Sequence, residues 1–145
     1  ATYAQVTECL WDESLSPREA LEYALRGSAH MQCESGHPRG CMVGLGVMSA
    51  TSAELSTVTA PLTQSRTRTH AGITACIERA IALGQLSATL DVQALSAVFY
   101  SFLIGFSTLT RDGCELETLK GAITQIMKIW DLNTIDARDK NLPDI

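Results

Sequence analysis

Apolar positions recur at helical spacing along most of the chain. Leu21, Ala24, Leu25, Ser28 and Gln32 follow the three-and-four step of one helix face. Ser16 is placed to cap that helix, Pro17 fits its first turn, and Glu19 completes a capping box. Gly36, His37 and Pro38 should end it. A shorter helix is expected before it, from Tyr3 to Trp11. A long helical pattern runs from Ser52 to Leu83, with Thr51 and Glu54 as its capping box. Its apolar stripe is Leu62, Thr69, Ile73, Cys76, Ile77, Ala80 and Ile81. Pro61 should kink or restart it, and Gly84 should end it. Asp91 then caps a helix to Thr110. After the break at RDGC, a last helix from Glu115 to Trp130 sets Leu116, Leu119, Ile123, Ile126, Met127 and Trp130 on one face.

The stretch HPRGCMVGLGVMSATS, residues 37–52, is ambiguous. Cys41, Val43, Leu45 and Val47 alternate like a strand, yet no other segment offers such a strand a partner. Gly44 to Ser49 nearly matches GxGxxG, but a phosphate-binding fingerprint needs a preceding strand, and a Walker loop needs Lys followed by Ser or Thr. Neither is present. A short helix is therefore expected, with Gly40, Gly44 and Gly46 letting neighbouring helices approach closely. Each such glycine costs about 0.5 to 1 kcal/mol relative to alanine. From Asp131 the chain is polar and aperiodic. The sum predicts one all-α domain, a bundle of about five or six helices.

Composition narrows what such a bundle can do. With 46% hydrophobic and 19% charged residues, 145 residues can bury a substantial core. The net charge of -5 argues against a large phosphate-binding face, and the one basic cluster, Arg66, Arg68 and His70, is too small for a nucleic-acid footprint. Five cysteines without any CxxC read as reduced thiols in a cytoplasm, and the N-terminus lacks the features of a signal peptide. The apolar run from Ala94 to Thr110 falls short of the roughly 20 residues that a membrane span needs. Leu95, Val98, Phe99, Tyr100, Phe102, Leu103, Ile104, Phe106 and Leu109 leave that helix hardly any polar face, so it should be buried all round. Its own domain would cover one side and a second copy of the chain the other, with the last helix closing a four-helix interface.

Catalytic signatures are lacking: no HExxH or GxSxG occurs, and Glu19, Glu54, Asp91 and Asp112 sit where acids cap helices and turns. No enzyme activity, cofactor or metal is expected. The alternative chemistry is the set His30, Cys33, His37 and Cys41, whose imidazoles and thiolates suit a zinc or copper ion or a redox sensor. The break at Gly36 to Pro38 divides that set between two elements.

Three features in order carry a family resemblance: Pro38-Arg39-Gly40-Cys41-Met42-Val43, a long helix closing at Gly84-Gln85-Leu86, and Leu90-Asp91-Val92 leading to Gly105-Phe106. On these the chain resembles the C-terminal ligand-binding and dimerisation domain of TetR/AcrR-family transcriptional regulators, over residues 16–130. The resemblance implies an effector-binding and dimerisation domain over residues 1–130, with 1–15 the remnant of a linker helix and 131–145 a polar tail. It implies a cytoplasmic homodimer, a small and mostly apolar effector, and repression through an N-terminal helix-turn-helix head that these residues do not contain. Position and side-chain chemistry nominate Trp11, Tyr23, His30, Met48, Arg66, His70, Phe99 and Tyr100 for the pocket. Phe102, Gly105, Leu109, Leu119, Ile123, Ile126, Met127 and Trp130 are nominated for the dimer contact. Plain core packing competes for the aromatics, Met48 and the dimer positions, a surface position for His30, and a solvated helix face for Arg66 with His70.

Overall fold

A computed structural model describes residues 2–36, 39–40 and 56–135. Helix α1 is Tyr3–Thr7 and continues as a 3-10 turn, Glu8–Trp11; α2 is Pro17–Cys33, α3 Ser56–Ala82, α4 Val92–Arg111 and α5 Leu116–Leu132. Among the described residues there is no strand, only an isolated bridge between Leu86 and Thr134, so the fold is all-α. Gly40 has φ +100°, in the left-handed region, and so is not part of a helix. Gly44, Gly46, Met48 and the pair Thr51 and Glu54 lie outside the described residues, and with them the expected short helix.

Local chemistry explains most boundaries. Ser16 Oγ accepts from the Glu19 amide at 3.2 Å while Glu19 Oε2 accepts from the Ser16 amide at 3.1 Å, closing the expected box with Pro17 in the first turn. A second box, unforeseen, starts α1: Thr2 Oγ1 accepts from the Gln5 amide at 3.3 Å, and Gln5 Oε1 from the Thr2 amide at 2.8 Å. Asp91 Oδ1 accepts from the Ala94 amide at 3.0 Å and caps α4. Pro61 does not restart α3, which runs through it unbroken. So near the helix start, proline removes a single intrahelical bond, and the rest of the helix carries the segment. The polar tail also starts later than expected. Asp131 lies within α5, where its carboxylate accepts from Arg18 Nε and Nη2 at 2.8 and 3.0 Å.

Helix α2 sits at the centre, packed on α1, the 3-10 turn, α3, α4 and α5. Its buried face alternates small and large residues, Ala20, Leu21, Ala24, Leu25 and Ala29, so the neighbours can close on it. Ile73, Cys76, Ile77 and Ala80 enter this core from α3, and Leu95, Phe99, Leu103 and Phe106 from α4. Helix α5 contributes Leu119, Ile123, Met127 and Trp130, all fully buried, with Ile126 at 8% exposure. Five positions nominated for a dimer contact are thus already covered within one copy. A 3.6-residue stripe reveals that a face is buried, not what buries it.

Helix α4 departs from expectation twice. At 20 residues it is long and apolar enough to cross a membrane. It is also not buried all round: Val98 and Leu109 are 41% and 45% exposed, and Phe102, Ile104 and Gly105 are half-buried. Its inner face lies in the core, where Phe99 meets Trp130 edge to face, centroids 6.3 Å apart.

Candidate ligand cleft

The solvent side of α3 carries small and hydroxylated residues between its apolar positions. Ala71 and Ala75, lacking bulk, form the floor of a cleft of about 580 Å³, and Thr63, Arg66, Thr67, Thr74 and Glu78 run along it. Trp11 of the 3-10 turn stands at one wall, and His70 with Tyr100 and Gln93 of α4 at the other. A smaller recess of about 360 Å³ shares Trp11, Thr63, Thr67 and Ala71 with it and adds Gln64 and Arg68.

Each wall is fixed by identifiable contacts. A Cβ on Gly72 would stand 3.0 Å from Leu10 Cβ and 3.1 Å from Trp11 Nε1, so any larger residue would push the 3-10 turn off α3 by a few tenths of an ångström. Arg68 lies 4.9 Å from the Trp11 ring centroid and donates to both Glu8 oxygens, at 2.8 and 3.0 Å. That bidentate contact holds the Glu8 carboxyl below its ordinary range. Arg79 Nη1 donates to the Leu15 carbonyl at 2.9 Å and ties the following loop to α3. On the opposite wall His70 and Tyr100 stack in parallel, 4.5 Å apart at 3°. Thr74 Oγ1 and Ser96 Oγ, 2.7 Å apart, join α3 to α4 one turn further on. Burial pushes the Tyr100 hydroxyl up, and the nearby charge of Arg66 opposes that shift. Arg66 itself donates to Thr63 Oγ1 at 3.0 Å. His70 Nε2 is buried without a hydrogen-bond partner.

Of the nominated pocket residues, Trp11, Arg66, His70 and Tyr100 come together in this cleft. Tyr23 and His30 are exposed on α2 and do not line it, and Met48 lies outside the described residues. Phe99 points into the core against Trp130, although it is the neighbour of Tyr100 in sequence. Thr63, Thr67, Ala71, Thr74, Ala75, Glu78 and Gln93 were not foreseen. Their signal is the complement of the apolar stripe on α3, small side chains on a face that long polar residues usually fill.

Among the described residues no three His, Cys, Asp or Glu side chains gather where they could hold a metal ion. His37 and Cys41 lie outside them. Burial raises the thiols of Cys9 and Cys33, and pushes Cys76 up to about 11, where it also donates to the Leu10 carbonyl at 3.2 Å. At a pH of about 8 the thiolate of such a group is roughly a thousandth of the total. Cys76 should accordingly resist an aromatic disulfide reagent until the chain unfolds. Labelling at the rate of a free cysteine would contradict its placement.

No protein-family model and no curated protein matches the chain. Two solved structures do, both of the TetR family transcriptional regulator CifR as cysteine mutants complexed with a 26-bp double-strand operator DNA. The first is 26% identical with a TM-score of 0.74, covering 87% of this chain and 65% of that one. The second is 24% identical with a TM-score of 0.74, covering 87% of this chain and 67% of that one. The chain therefore spans about 65% of the length of the first regulator. Over 87% of its length this chain is thus similar in its all-α fold to that TetR family regulator.

Proposed function

We propose that the chain is the effector-sensing, homodimerising part of a cytoplasmic TetR-type transcriptional regulator, a repressor in its intact form rather than an enzyme. The cleft between Trp11 and the His70–Tyr100 pair carries the reading: aromatic walls over a small-residue floor suit a small molecule. Contact with operator DNA would belong to an N-terminal head. Tyr23, His30, Met48 and Phe99 drop out of the ligand set proposed for this cleft, and its threonines and Glu78 enter. The dimer contact is proposed on the open face of α4, where Val98, Phe102, Gly105 and Leu109 align at helical spacing. A Cβ on Gly105 would meet nothing within 4 Å in its own chain, which leaves room for a second backbone. The raised thiol of Cys33 speaks against the alternative, a redox or metal sensor built on His30, Cys33, His37 and Cys41, of which His37 and Cys41 lie outside the described residues.

Thermal unfolding in the presence of candidate effectors tests the cleft. A ligand at a hundred times its dissociation constant adds about 2.7 kcal/mol, which for a domain of this size raises the Tm by about 5 to 10 °C. Tyr100→Ala and His70→Ala should each abolish that rise. A rise that survives both substitutions would mean the effector binds elsewhere.

A further inference from the structure

Resting on that reading of the cleft, we infer that its ligand is an aromatic ammonium ion, an amine protonated at neutral pH, whose charged nitrogen sits against Glu78. The first observation is which charge in the cleft is left uncompensated. Glu78 is the one carboxylate among the residues that line it, and among the described residues no hydrogen bond or ion pair engages that carboxylate. A base three or four residues away on the helix could neutralise it, but those positions are Thr74, Ala75, Ile81 and Ala82, none of them charged. The cations nearby are placed differently. Arg68 is held by both Glu8 oxygens, and Arg79 turns to the Leu15 and Asp12 carbonyls, at 2.9 and 3.4 Å. Arg66 donates to Thr63 and lies twelve residues from Glu78, roughly 18 Å along the helix axis at 1.5 Å per residue. That separation exceeds the roughly 8 Å over which exposed charges act in physiological salt.

The second observation is the chemistry of the walls. Trp11 on one side and Tyr100 on the other bring π-systems to the same cleft, and a ring face attracts a cation and repels an anion. The Trp11 ring already behaves in this way toward Arg68, whose guanidinium stands 4.9 Å from its centroid. Gln93 of α4 lines the same cleft and offers an amide oxygen to a second ammonium N–H, since an ammonium group carries three donors and Glu78 need not take them all. The third observation is shape. Ala71 and Ala75 leave a shallow floor, and the His70–Tyr100 stack and Trp11 supply flat walls, to which the ring of such an amine is complementary.

Isothermal calorimetry of the 145-residue chain at neutral pH and low salt compares three probes on one ring system: 2-naphthylmethylammonium, 2-naphthylmethanol and 2-naphthoate. The cation should bind about five-fold or more tighter than the alcohol, and the acid weakest. Glu78→Gln, at an exposed position, should bring the cation to the level of the alcohol, and Glu78→Arg should favour the acid over the cation. Asp112→Asn removes the same charge outside the cleft and should leave the preference unchanged, which separates a seat at Glu78 from attraction by the net charge of -5. Equal binding of cation and alcohol, or tightest binding of the acid, overturns the charge assignment, while loss of alcohol binding in Tyr100→Ala would still uphold the cleft as the ligand site. A preference for the cation that survives Glu78→Gln overturns the seat. Binding by none of the three overturns the ligand class, and the thermal-shift measurement then judges the cleft by itself.

Discussion

Trp130→Ala is expected to lower the unfolding free energy by about 3 to 5 kcal/mol. The indole is 1% exposed, meets Phe99 edge to face, and closes the stripe of α5 that lies on α2. Truncation removes the largest fully buried side chain and leaves a cavity that helix backbones on several sides cannot collapse to fill. Against a typical domain stability of about 5 to 15 kcal/mol, a large part of the folded margin is at stake. Urea unfolding followed by far-ultraviolet dichroism measures the loss. The loss should be the same at every protein concentration, because Trp130 is buried within one copy. A loss under about 1 kcal/mol, or one that appears only where the chain associates, would mean that Trp130 faces a partner instead.

Leu109→Glu should do the reverse, leaving the fold intact while weakening association by about 100-fold or more. At 45% exposure, Leu109 contributes little to its own domain, and exposed substitutions of this kind change stability by about 0.5 kcal/mol or less. A two-fold contact brings the open α4 face of each copy toward its counterpart, so the substitution buries two carboxylates among Val98, Phe102 and their equivalents. Gly105→Ala separates the two settings further. Within one copy the added methyl meets open space and should gain up to about 1 kcal/mol of helix propensity, whereas a closely approaching second helix would be pushed away. Unfolding curves together with concentration-dependent mass read both effects. An unchanged association constant for Leu109→Glu would remove this face from the interface.

How much of this could be read from residues alone varied with the range of the interaction. Caps are local, so Ser16 with Glu19 and Asp91 marked helix starts correctly, and Gly84, at φ +73°, marked an end. Pro61 misled because its effect depends on its distance from the helix start, which sequence places poorly. The stripe on α5 was legible as a buried face, but whether α2 or a second copy covers it is a tertiary matter. In the cleft, the aromatic and charged members Trp11, Arg66, His70 and Tyr100 stood out by residue type. The threonines and alanines of α3 did not, because their role lies in the room they leave. Phe99 and Tyr100 show the limit most plainly: adjacent and chemically similar, they part by about 100° around α4, one into the core and one to the cleft.

Sedimentation equilibrium of the 145-residue chain at micromolar concentration tests the proposed sensor most directly, because the open face of α4 has a purpose only if a second copy covers it. The account predicts a species of twice the 15.6 kDa chain mass, reduced to one chain by Leu109→Glu without loss of helix content. A well-folded chain that stays at 15.6 kDa throughout would contradict it.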